Sequence, residues 1–328
     1  MNKRNLLLIM PNFYEYSTEI VKEFEEQGNC VDLFFEEPSR NVFLTIRKIQ
    51  KLLKFDLFAV FNRLLLKKIR NKNKHYDVFV VIRGNILNEW FVNEVKRNFL
   101  SSDAKTIYYT WDSFEYLYHK GKLGSLFKKK MSFDSLDVKN NPEWQLLPLF
   151  YTDKFSSECH DNKDSYKYDC SCIASFNVYR YLFIKDFVNK NPDLRVCVKL
   201  YIDRSLFNYK LKHDDIFKSI DRNYIIFEPL EYSQLIEIYD NSRCVLDVTH
   251  EHQVGLSMRT IETIGLNKKL ITNNKYVRDY GFYLKENICV IDDSNKLVDN
   301  KWLLTSHICE NINKEKYSLK NWIYTILE

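Results

Sequence analysis

Residues 244–272 read CVLDVTHEHQVGLSMRTIETIGLNKKLIT. An apolar run at 244–249 leads through a polar loop into a helical pattern that begins near Ser257 or Met258, and a second apolar run follows at 269–272. Strand, helix and strand in this order form the unit of a parallel sheet. The stretch therefore predicts a βαβ unit whose helix begins at the carboxyl end of the first strand.

The same alternation extends in both directions along the chain. The predicted strands are 5–10, 30–35, 77–82, 106–110 and 129–134, then 170–175, 195–202, 224–228, 244–249, 269–272 and 287–292. Strands that alternate with helices predict an α/β protein, here with two Rossmann-like, doubly wound domains that face a cleft. Ligands of such sheets bind beyond the carboxyl ends of the strands, so functional residues are expected in the loops that follow them.

A polar stretch without periodicity divides the chain near its middle. We predict an N-terminal domain at 1–152, a linker at 153–168 and a C-terminal domain at 169–310. A last helical piece at 311–328 completes the chain, and the N-terminal domain is one surface on which it can pack.

The composition is that of a globular protein. Of 328 residues, 45% are hydrophobic and 28% are charged, and the formal net charge is +5. The eight cysteines include no CxxC pair and no zinc-type spacing, so we expect reduced thiols and no metal site. No apolar stretch approaches the length of a membrane span, and the apolar N-terminus reads better as a buried strand than as a signal peptide. These features predict a cytoplasmic protein.

The helix start in the opening stretch has the features of a phosphate site. The N–H groups near Ser257 carry partial positive charge, Gly255 permits close backbone approach, and Arg259 adds a guanidinium. Glu262 lies one turn further along nearly the same face, where a carboxylate can accept two ribose hydroxyls. The alternative is a capped helix with a surface pair between Arg259 and Glu262.

This segment resembles the GT-B glycosyltransferases, and in particular the group-1-like enzymes of lipopolysaccharide and capsular polysaccharide synthesis. The similarity covers about 244–272, with Gly255, Glu262 and Gly265 aligned. In that family the second acid of a Glu-x7-Glu pair binds the ribose of the donor, and Glu262 is the match. The first acidic position holds Val254, so the resemblance leaves both retaining and inverting transfer open.

The resemblance implies further donor-binding residues. Arg180, in the loop after the strand at 170–175, would bind phosphate, and Lys199 is a second candidate. Phe227 and Leu230 would flank the base, and His252 would touch phosphate or sugar. Each of these residues also fits an ordinary place in the core or on the surface.

The N-terminal domain is expected to hold the acceptor and the catalytic base. Asp112 follows a predicted strand directly, between Trp111 and Ser113, and a carboxylate there would take the proton of the acceptor hydroxyl. Glu15, in the loop after the first strand, is the second catalytic candidate. The alternative role for Asp112 is to cap the helix that follows.

A strongly basic segment stands apart from these motifs. Residues 42–74 contain ten basic side chains and the single acid Asp56, an excess of nine positive charges. Leucine, isoleucine and phenylalanine interleave with them at helical spacing, which is typical of an element bound to an anionic membrane surface. A solvated helix packed on the sheet is the alternative; nucleic-acid binding has no motif to support it.

Together the residues and the resemblance predict a metal-independent glycosyltransferase without a cofactor. Its donor would be a nucleotide-diphosphate sugar, with UDP-sugars favoured, and its acceptor a saccharide, free or lipid-linked, at the inner face of the cell membrane. A nucleotide-sugar epimerase of the same fold and a non-catalytic membrane-surface partner protein are the alternatives.

Overall fold

The computed structural model resolves the chain into two compact units. One comprises 1–149 with 319–328, and the other comprises 150–318. The structure describes residues 3–13, 15–38, 42, 43, 46, 49, 56–157, 166–250, 253–309 and 313–328.

The N-terminal unit is built on a parallel sheet of six strands among the described residues, in the order β2-β1-β3-β4-β5-β6. The strands are β1 (Arg4–Met10), β2 (Asn29–Phe35), β3 (Tyr76–Ile82), β4 (Leu100–Thr110), β5 (Lys129–Ser132) and β6 (Gln145–Leu146). β1 and β3 are fully or almost fully buried over their central residues, as expected for strands covered by helices on both faces.

The C-terminal unit carries a second parallel sheet, in the order β12-β11-β10-β7-β8-β9 within the described residues. Its strands are β7 (Tyr168–Ser175), β8 (Val196–Tyr201), β9 (Ile225–Ile226), β10 (Ser242–Asp247), β11 (Lys269–Thr272) and β12 (Ile288–Val290). The chain winds outward from β7 in one direction, returns, and winds outward from β10 in the other. The switch point of this sheet therefore lies between the carboxyl ends of β7 and β10.

Helices connect the strands in both units. They are α1 (Tyr16–Glu26), α2 (Leu57–Arg70), α3 (Glu89–Phe99), α4 (Ser135–Asn140), α5 (Val178–Lys190), α6 (Arg204–His213), α7 (Asp215–Lys218), α8 (Tyr232–Asp240), α9 (Met258–Gly265), α10 (Asn300–Leu304) and α11 (Leu319–Leu327). Within the described residues, no helix is both long and apolar enough to cross a bilayer.

The last helix, α11, belongs to the N-terminal unit. Trp322 of α11 meets Tyr109 of β4 edge to face, with ring centroids 4.9 Å apart. The ammonium groups of Lys105 and Lys129 donate to its last carbonyls, at 2.6 Å from Leu327 O and 2.5 Å from Thr325 O. Cations at the C-terminus of a helix satisfy its unpaired carbonyls and its partial negative charge, so these two lysines fasten the chain end to the sheet.

The predicted α/β class with two doubly wound sheets is confirmed. The expectation that the thiols are all reduced is wrong for Cys309, which is disulfide-bonded, whereas Cys30, Cys170, Cys172, Cys197, Cys244 and Cys289 are free. Residues 158–165 of the predicted linker, and most of 42–55 in the basic segment, lie outside the described residues.

Candidate functional site

Two helices begin at the switch point of the C-terminal sheet. α5 follows β7, and the side-chain oxygen of its N-cap Asn177 accepts from Arg180 N at 2.7 Å. α9 follows β10, and its N-cap Ser257 accepts from Thr260 N at 3.2 Å. The sequence prediction of a helix start near Ser257 is confirmed. Two helix N-termini at one sheet edge bring two sets of partly positive N–H groups there.

A buried carboxylate fastens the first turn of α9 to the sheet. Asp247, the last residue of β10, is 0% exposed and accepts from Ser257 Oγ at 2.6 Å and from Thr260 Oγ1 at 2.6 Å. Its other oxygen accepts from Arg259 Nη1 at 2.5 Å, and Arg259 Nε donates to Ile173 O at 2.6 Å. Arg259 is thus a buried anchor between two strands, and only 15% of its side chain is exposed. The surface Arg259–Glu262 pair considered above does not describe its contacts.

Arg180 lies on the other side of the same edge. Its Nε donates to Val248 O at 2.6 Å and its Nη1 to Ser175 O at 2.5 Å, so it bridges the ends of β10 and β7. Burial, together with the positive charge of Arg259, lowers the pKa of Arg180 to about 10. Arg259 is paired with the Asp247 carboxylate, whereas Arg180 has no carboxylate partner among the described residues. The positive charge of Arg180 at the switch point suits an anion.

The N-cap residue of α5, Asn177, also carries an unsatisfied hydrogen-bond donor. Asn177 Nδ2 is buried and makes no hydrogen bond within the described part of the chain. A buried amide without an acceptor is costly, and ligand sites are one place where such groups persist. It adds a neutral donor to the two guanidinium groups.

The loop before α9 is fastened by two amides that sequence reasoning missed. Asn274 Nδ2 donates to Val254 O at 3.1 Å and to Gly255 O at 3.4 Å. Asn273 Oδ1 accepts from Thr249 N at 2.8 Å, so the start of the loop is also held. The available signal was the pair of asparagines directly after β11, at the same sheet edge. Gly255 thus lies in a buried, fixed loop and not in a mobile surface turn.

Glu262 is 4% exposed and lies one turn beyond Arg259 on α9. Burial raises the pKa of the Tyr239 phenol, and the negative charge of the nearby Glu262 adds to this increase. At the end of α9, a Cβ on Gly265 would meet Phe155 O at 2.4 Å and Tyr151 Cγ at 2.6 Å. The glycine in the middle of the opening stretch is therefore required for close packing of the helix end, and α9 is held at both ends.

The remaining donor candidates lie on β8 and after β9. Lys199 is half-buried in β8, in register with Ile173, whose carbonyl accepts from Arg259. Phe227 and Leu230 follow β9 at the edge of the sheet and are both half-buried; the Arg204 guanidinium lies 4.2 Å from the Phe227 ring centroid. His252 lies outside the described residues.

In the N-terminal unit, the backbone at Arg83 is strained. Arg83 directly follows β3 with φ of 68°, and Gly84 N donates to Ile82 O at 2.9 Å across it, which makes a γ-turn centred on a left-handed arginine. This conformation costs about 1–3 kcal/mol for a non-glycine residue, and such residues are enriched at functional sites. Tyr108 Oη donates to Arg83 O at 2.6 Å and helps to hold the turn.

The turn directs the Arg83 guanidinium into a group of carboxylates. Its Nε forms an ion pair with Glu36, its Nη2 lies 2.7 Å from Glu37 Oε2, and its Nη1 lies 3.8 Å from Asp112 Oδ2. Glu36 is 0% exposed and also accepts from Asn85 N at 2.6 Å. Three carboxylates around one guanidinium leave an excess of negative charge. Sequence reasoning missed Glu36 and Glu37, although two acids directly after an apolar strand were a usable signal.

The carboxyl groups of this cluster hold protons more strongly than usual. Burial raises the pKa of Glu36 to about 7, against the opposing charge of Arg83. Burial also raises the pKa of Asp112; Arg83 lowers it and Glu37 raises it further. Because 43% of the Asp112 side chain is exposed, this carboxylate can reach a ligand. A partly exposed acid with a raised pKa is a suitable general base.

Asp112 does not cap the element that follows it. The short 3₁₀ helix Phe114–Tyr116 has Ser113 at its N-cap position. The loop is instead fastened to α4, where Asp134 accepts from Ser113 Oγ at 2.5 Å and Asp137 accepts from Phe114 N at 2.8 Å.

Glu15, the second predicted catalytic residue, occupies the N-cap position of α1 without capping it through its side chain. Its loop reaches the Asp112 loop through Phe13, whose ring centroid lies 5.6 Å from that of Trp111 in an edge-to-face contact. The structure therefore brings the two predicted loops together. Next to Asp112, the carboxylates of Glu36 and Glu37 form ion pairs with Arg83.

A cavity of about 280 Å³ lies beside Asn85 in this unit. It is lined by Asp56, Phe58, Asn85, Ile86, Leu87, Asn88, Glu89, Tyr118, His119, Lys122 and Leu123. The ring centroids of Tyr118 and Phe58 lie 5.7 Å apart, and burial lowers the pKa of the His119 imidazole. Aromatic faces with amide and charged groups suit a polar ligand such as a saccharide.

Comparisons with solved structures agree with this architecture. HepE of Anabaena, in complex with UDP and glucose, matches with a TM-score of 0.61 at 9% identity over 99% of both chains. A glycosyltransferase from Rickettsia africae matches at 0.58 and 12% identity, over 100% of this chain and 94% of that one. The UDP-GlcNAc 2-epimerase of Neisseria meningitidis, bound to UDP-GlcNAc, matches at 0.53 and 10% identity over 98% of each.

The chain has the GT-B fold. No protein-family model matches it, and no curated protein matches it in sequence. At these identities the similarity to GT-B structures extends to the fold and not to individual side chains.

Proposed function

We propose that this protein is a glycosyltransferase that moves a sugar from a nucleoside-diphosphate donor to a saccharide acceptor. The observation that carries the proposal is the Arg180 guanidinium at the switch point of the C-terminal sheet, which has no carboxylate partner among the described residues. The starts of α5 and α9, the unsatisfied amide of Asn177, and Arg259 in its ion pair with Asp247 lie at the same sheet edge. Such a group of donors stabilises a diphosphate leaving group as its bond to the sugar breaks.

Each part of the donor has a candidate site in this unit. The diphosphate binds at Arg180 and the two helix starts, with Arg259 fixing the α9 turn and contributing charge from below. Glu262 accepts the ribose hydroxyls, and Phe227 and Leu230 flank the base. UDP-sugars are the favoured donors, since UDP or a UDP-sugar is present in several structures of this fold. Guanidinium groups and helix starts take the part of a counter-ion, so the proposal requires no cofactor.

The acceptor binds in the N-terminal unit, with Asp112 as the base. The lined cavity beside Asn85 has the size and the aromatic and polar character of a saccharide subsite. Asp112 takes the proton of the acceptor hydroxyl as that oxygen attacks the anomeric carbon. Because the position of the first family acid holds Val254, we leave the stereochemistry of transfer open.

We further propose that the acceptor belongs to a cell-surface polysaccharide, such as lipopolysaccharide or capsule, and that the enzyme works at the inner membrane face. The described part of the basic segment, α2, supports this. Leu64 is 56% exposed and Val60 is 37% exposed, and the Arg63 guanidinium lies 6.0 Å from the exposed ring of Trp90. An exposed apolar strip with adjacent arginine and lysine side chains suits anionic lipid.

Thermal-shift measurements against UDP-, GDP-, CDP- and dTDP-sugars test the donor proposal. We expect one nucleotide class to raise the melting temperature, and Glu262→Gln to weaken that effect. Arg97→Gln, an exposed change in α3 of the other unit, is the control. If none of these sugars stabilises the protein, the proposal is wrong. For the membrane, flotation with phosphatidylglycerol vesicles should exceed flotation with phosphatidylcholine alone, and Leu64→Ser should reduce it.

A nucleotide-sugar epimerase is the second candidate, because an epimerase shares the fold. An epimerase converts its UDP-sugar without an acceptor and releases no UDP as product. Incubation of the protein with the stabilising UDP-sugar alone, followed by analysis of the sugar, separates the two functions.

A further inference from the structure

The cluster around Arg83 contains more carboxylates than a structural ion pair needs. Glu36 lies at its base, fully buried, and pairs with Arg83 Nε while accepting from Asn85 N. That contact alone would fix the guanidinium. Glu37 and Asp112 nevertheless approach the two remaining nitrogens, and both are partly exposed, at 21% and 43% of their side chains. The outer face of Arg83 is thus shared between two carboxylates.

The backbone of Arg83 holds the guanidinium between these two carboxylates. Its γ-turn carries a left-handed arginine, and the next residue is also left-handed, at Gly84, where a Cβ would lie 2.8 Å from Val81 Cγ1. His119 Nε2 lies 3.2 Å from Gly84 O, and Tyr108 Oη donates to Arg83 O, so the turn is held from below. A strained turn that is held by several contacts fixes the guanidinium in place.

We propose that Arg83 is the positioning residue of Asp112 in sugar transfer, and that Glu37 opposes it by competing for the same guanidinium. The proposal rests on the proposed function, in which Asp112 is the base. Arg83 holds the Asp112 carboxylate ionised and oriented. Glu37 takes part of the charge of Arg83, so Asp112 keeps enough affinity for a proton to remove one from a hydroxyl.

The acceptor hydroxyl gives its proton to Asp112 Oδ, and its oxygen forms the new bond to the anomeric carbon. The bond between that carbon and the diphosphate oxygen breaks, and the nucleoside diphosphate leaves with the electron pair. Asp112 then returns its proton to solvent. Arg83 and Glu37 exchange no proton in this step.

The groups that face Asp112 come from several elements. Arg83 follows β3, Glu36 and Glu37 follow β2, and Tyr108 lies in β4 beneath the turn. The Glu15 loop approaches through the contact between Phe13 and Trp111. Of the charged groups, Arg83 lowers the pKa of Asp112 and Glu37 raises it. Neutralising Arg83 should therefore raise the pKa of Asp112, and neutralising Glu37 should lower it.

Titration of Asp112 tests the proposal directly. We would label aspartate carboxyl carbons with ¹³C, assign the Asp112 signal with Asp112→Asn, and follow its shift with pH by NMR. Arg83→Gln is expected to raise the titration midpoint, and Glu37→Gln to lower it. Each change should be about 0.5–1 pH unit, since the contacts are close but partly exposed. Glu25→Gln, an exposed acid of α1, is the matched control and should leave the midpoint unchanged.

The same variants are then compared in UDP release from the UDP-sugar that stabilises the protein. The acidic limb of the pH profile of UDP release should follow the NMR midpoint of Asp112. It should shift to higher pH for Arg83→Gln and to lower pH for Glu37→Gln. The proposal is wrong if the Asp112 midpoint does not move in the variants, or if it moves in the same direction in both. It is also wrong if the midpoint moves and the acidic limb of the pH profile does not. Glu37→Gln keeps the buried Arg83–Glu36 pair, so it decides the question even where Arg83→Gln fails to fold. If no nucleotide sugar binds, the thermal-shift measurement will show it. That result would refute the proposed donor and not the role of Arg83.

Discussion

Replacement of Arg180 by methionine gives the sharpest test of the diphosphate site. Arg180 Nε and Nη1 are occupied by Val248 O and Ser175 O, and Nη2 donates to no group among the described residues. A phosphate oxygen would complete the guanidinium. A hydrogen bond to a charged group contributes about 1.5–3 kcal/mol. At 1.4 kcal/mol per factor of ten, UDP affinity should fall roughly 10- to 100-fold.

Calorimetric titration of UDP and of uridine separates this effect from general damage. Uridine has no phosphate, so Arg180→Met should change its affinity by less than about twofold on the same reasoning. Arg180→Lys keeps the charge but loses the fork that bridges two carbonyls, and should retain part of the UDP affinity. An equal loss of uridine and UDP would show a disrupted unit, and an unchanged UDP affinity would refute the assignment of Arg180 to phosphate.

Three further predictions concern stability and pH. Asp247→Ala leaves Arg259 buried without its partner and should destabilise the protein by about 3–5 kcal/mol in urea unfolding, whereas the exposed Asp215→Ala should change it little. Gly265→Ala places a Cβ 2.4 Å from Phe155 O, so we expect a loss of about 1–3 kcal/mol by the same method; no loss would mean that the helix end can shift freely. Glu36 has its pKa raised from 4.5 to about 7 in the folded protein, so its contribution to stability is greatest below pH 4.5 and falls as pH rises to 7. Glu36→Gln should flatten that part of the melting temperature–pH curve, and an unchanged slope would place the titration elsewhere.

The sequence predicted the sheets well because each strand has a local signal. Buried parallel strands are apolar runs of four to eight residues, and they can be recognised without knowledge of their neighbours. The start of α9 was predictable for the same reason, since Ser257 is a favoured N-cap residue just before a helical pattern. The two-residue strand β6 was missed, because Gln145 and Leu146 are exposed and have no apolar pattern.

The contacts of the candidate sites were less predictable, because they join residues that the order of strands brings together. Arg259 was assigned to phosphate from its place in a helix start, yet its main partner is Asp247, at the end of the preceding strand. The cluster around Arg83 combines residues that follow β2, β3 and β4, and the order β2-β1-β3-β4 brings the carboxyl ends of these strands near one another. Spacing along the chain gives no measure of such distances, whereas the identity of residues directly after strands does indicate which edge they occupy.

The two units differ in how their arginines are paired at the sheet edges. In the C-terminal unit, Arg180 has no carboxylate partner among the described residues, whereas in the N-terminal unit three carboxylates approach Arg83. A positive edge favours the diphosphate and stabilises it as it leaves, because its negative charge increases in the transition state. A negative edge does the opposite: it repels phosphate, raises the proton affinity of a base, and accepts the hydroxyl groups of a neutral sugar. Exchange of the two roles would place the leaving group against carboxylates, so in the proposed reaction these charges favour the donor in the C-terminal unit and the acceptor in the N-terminal unit.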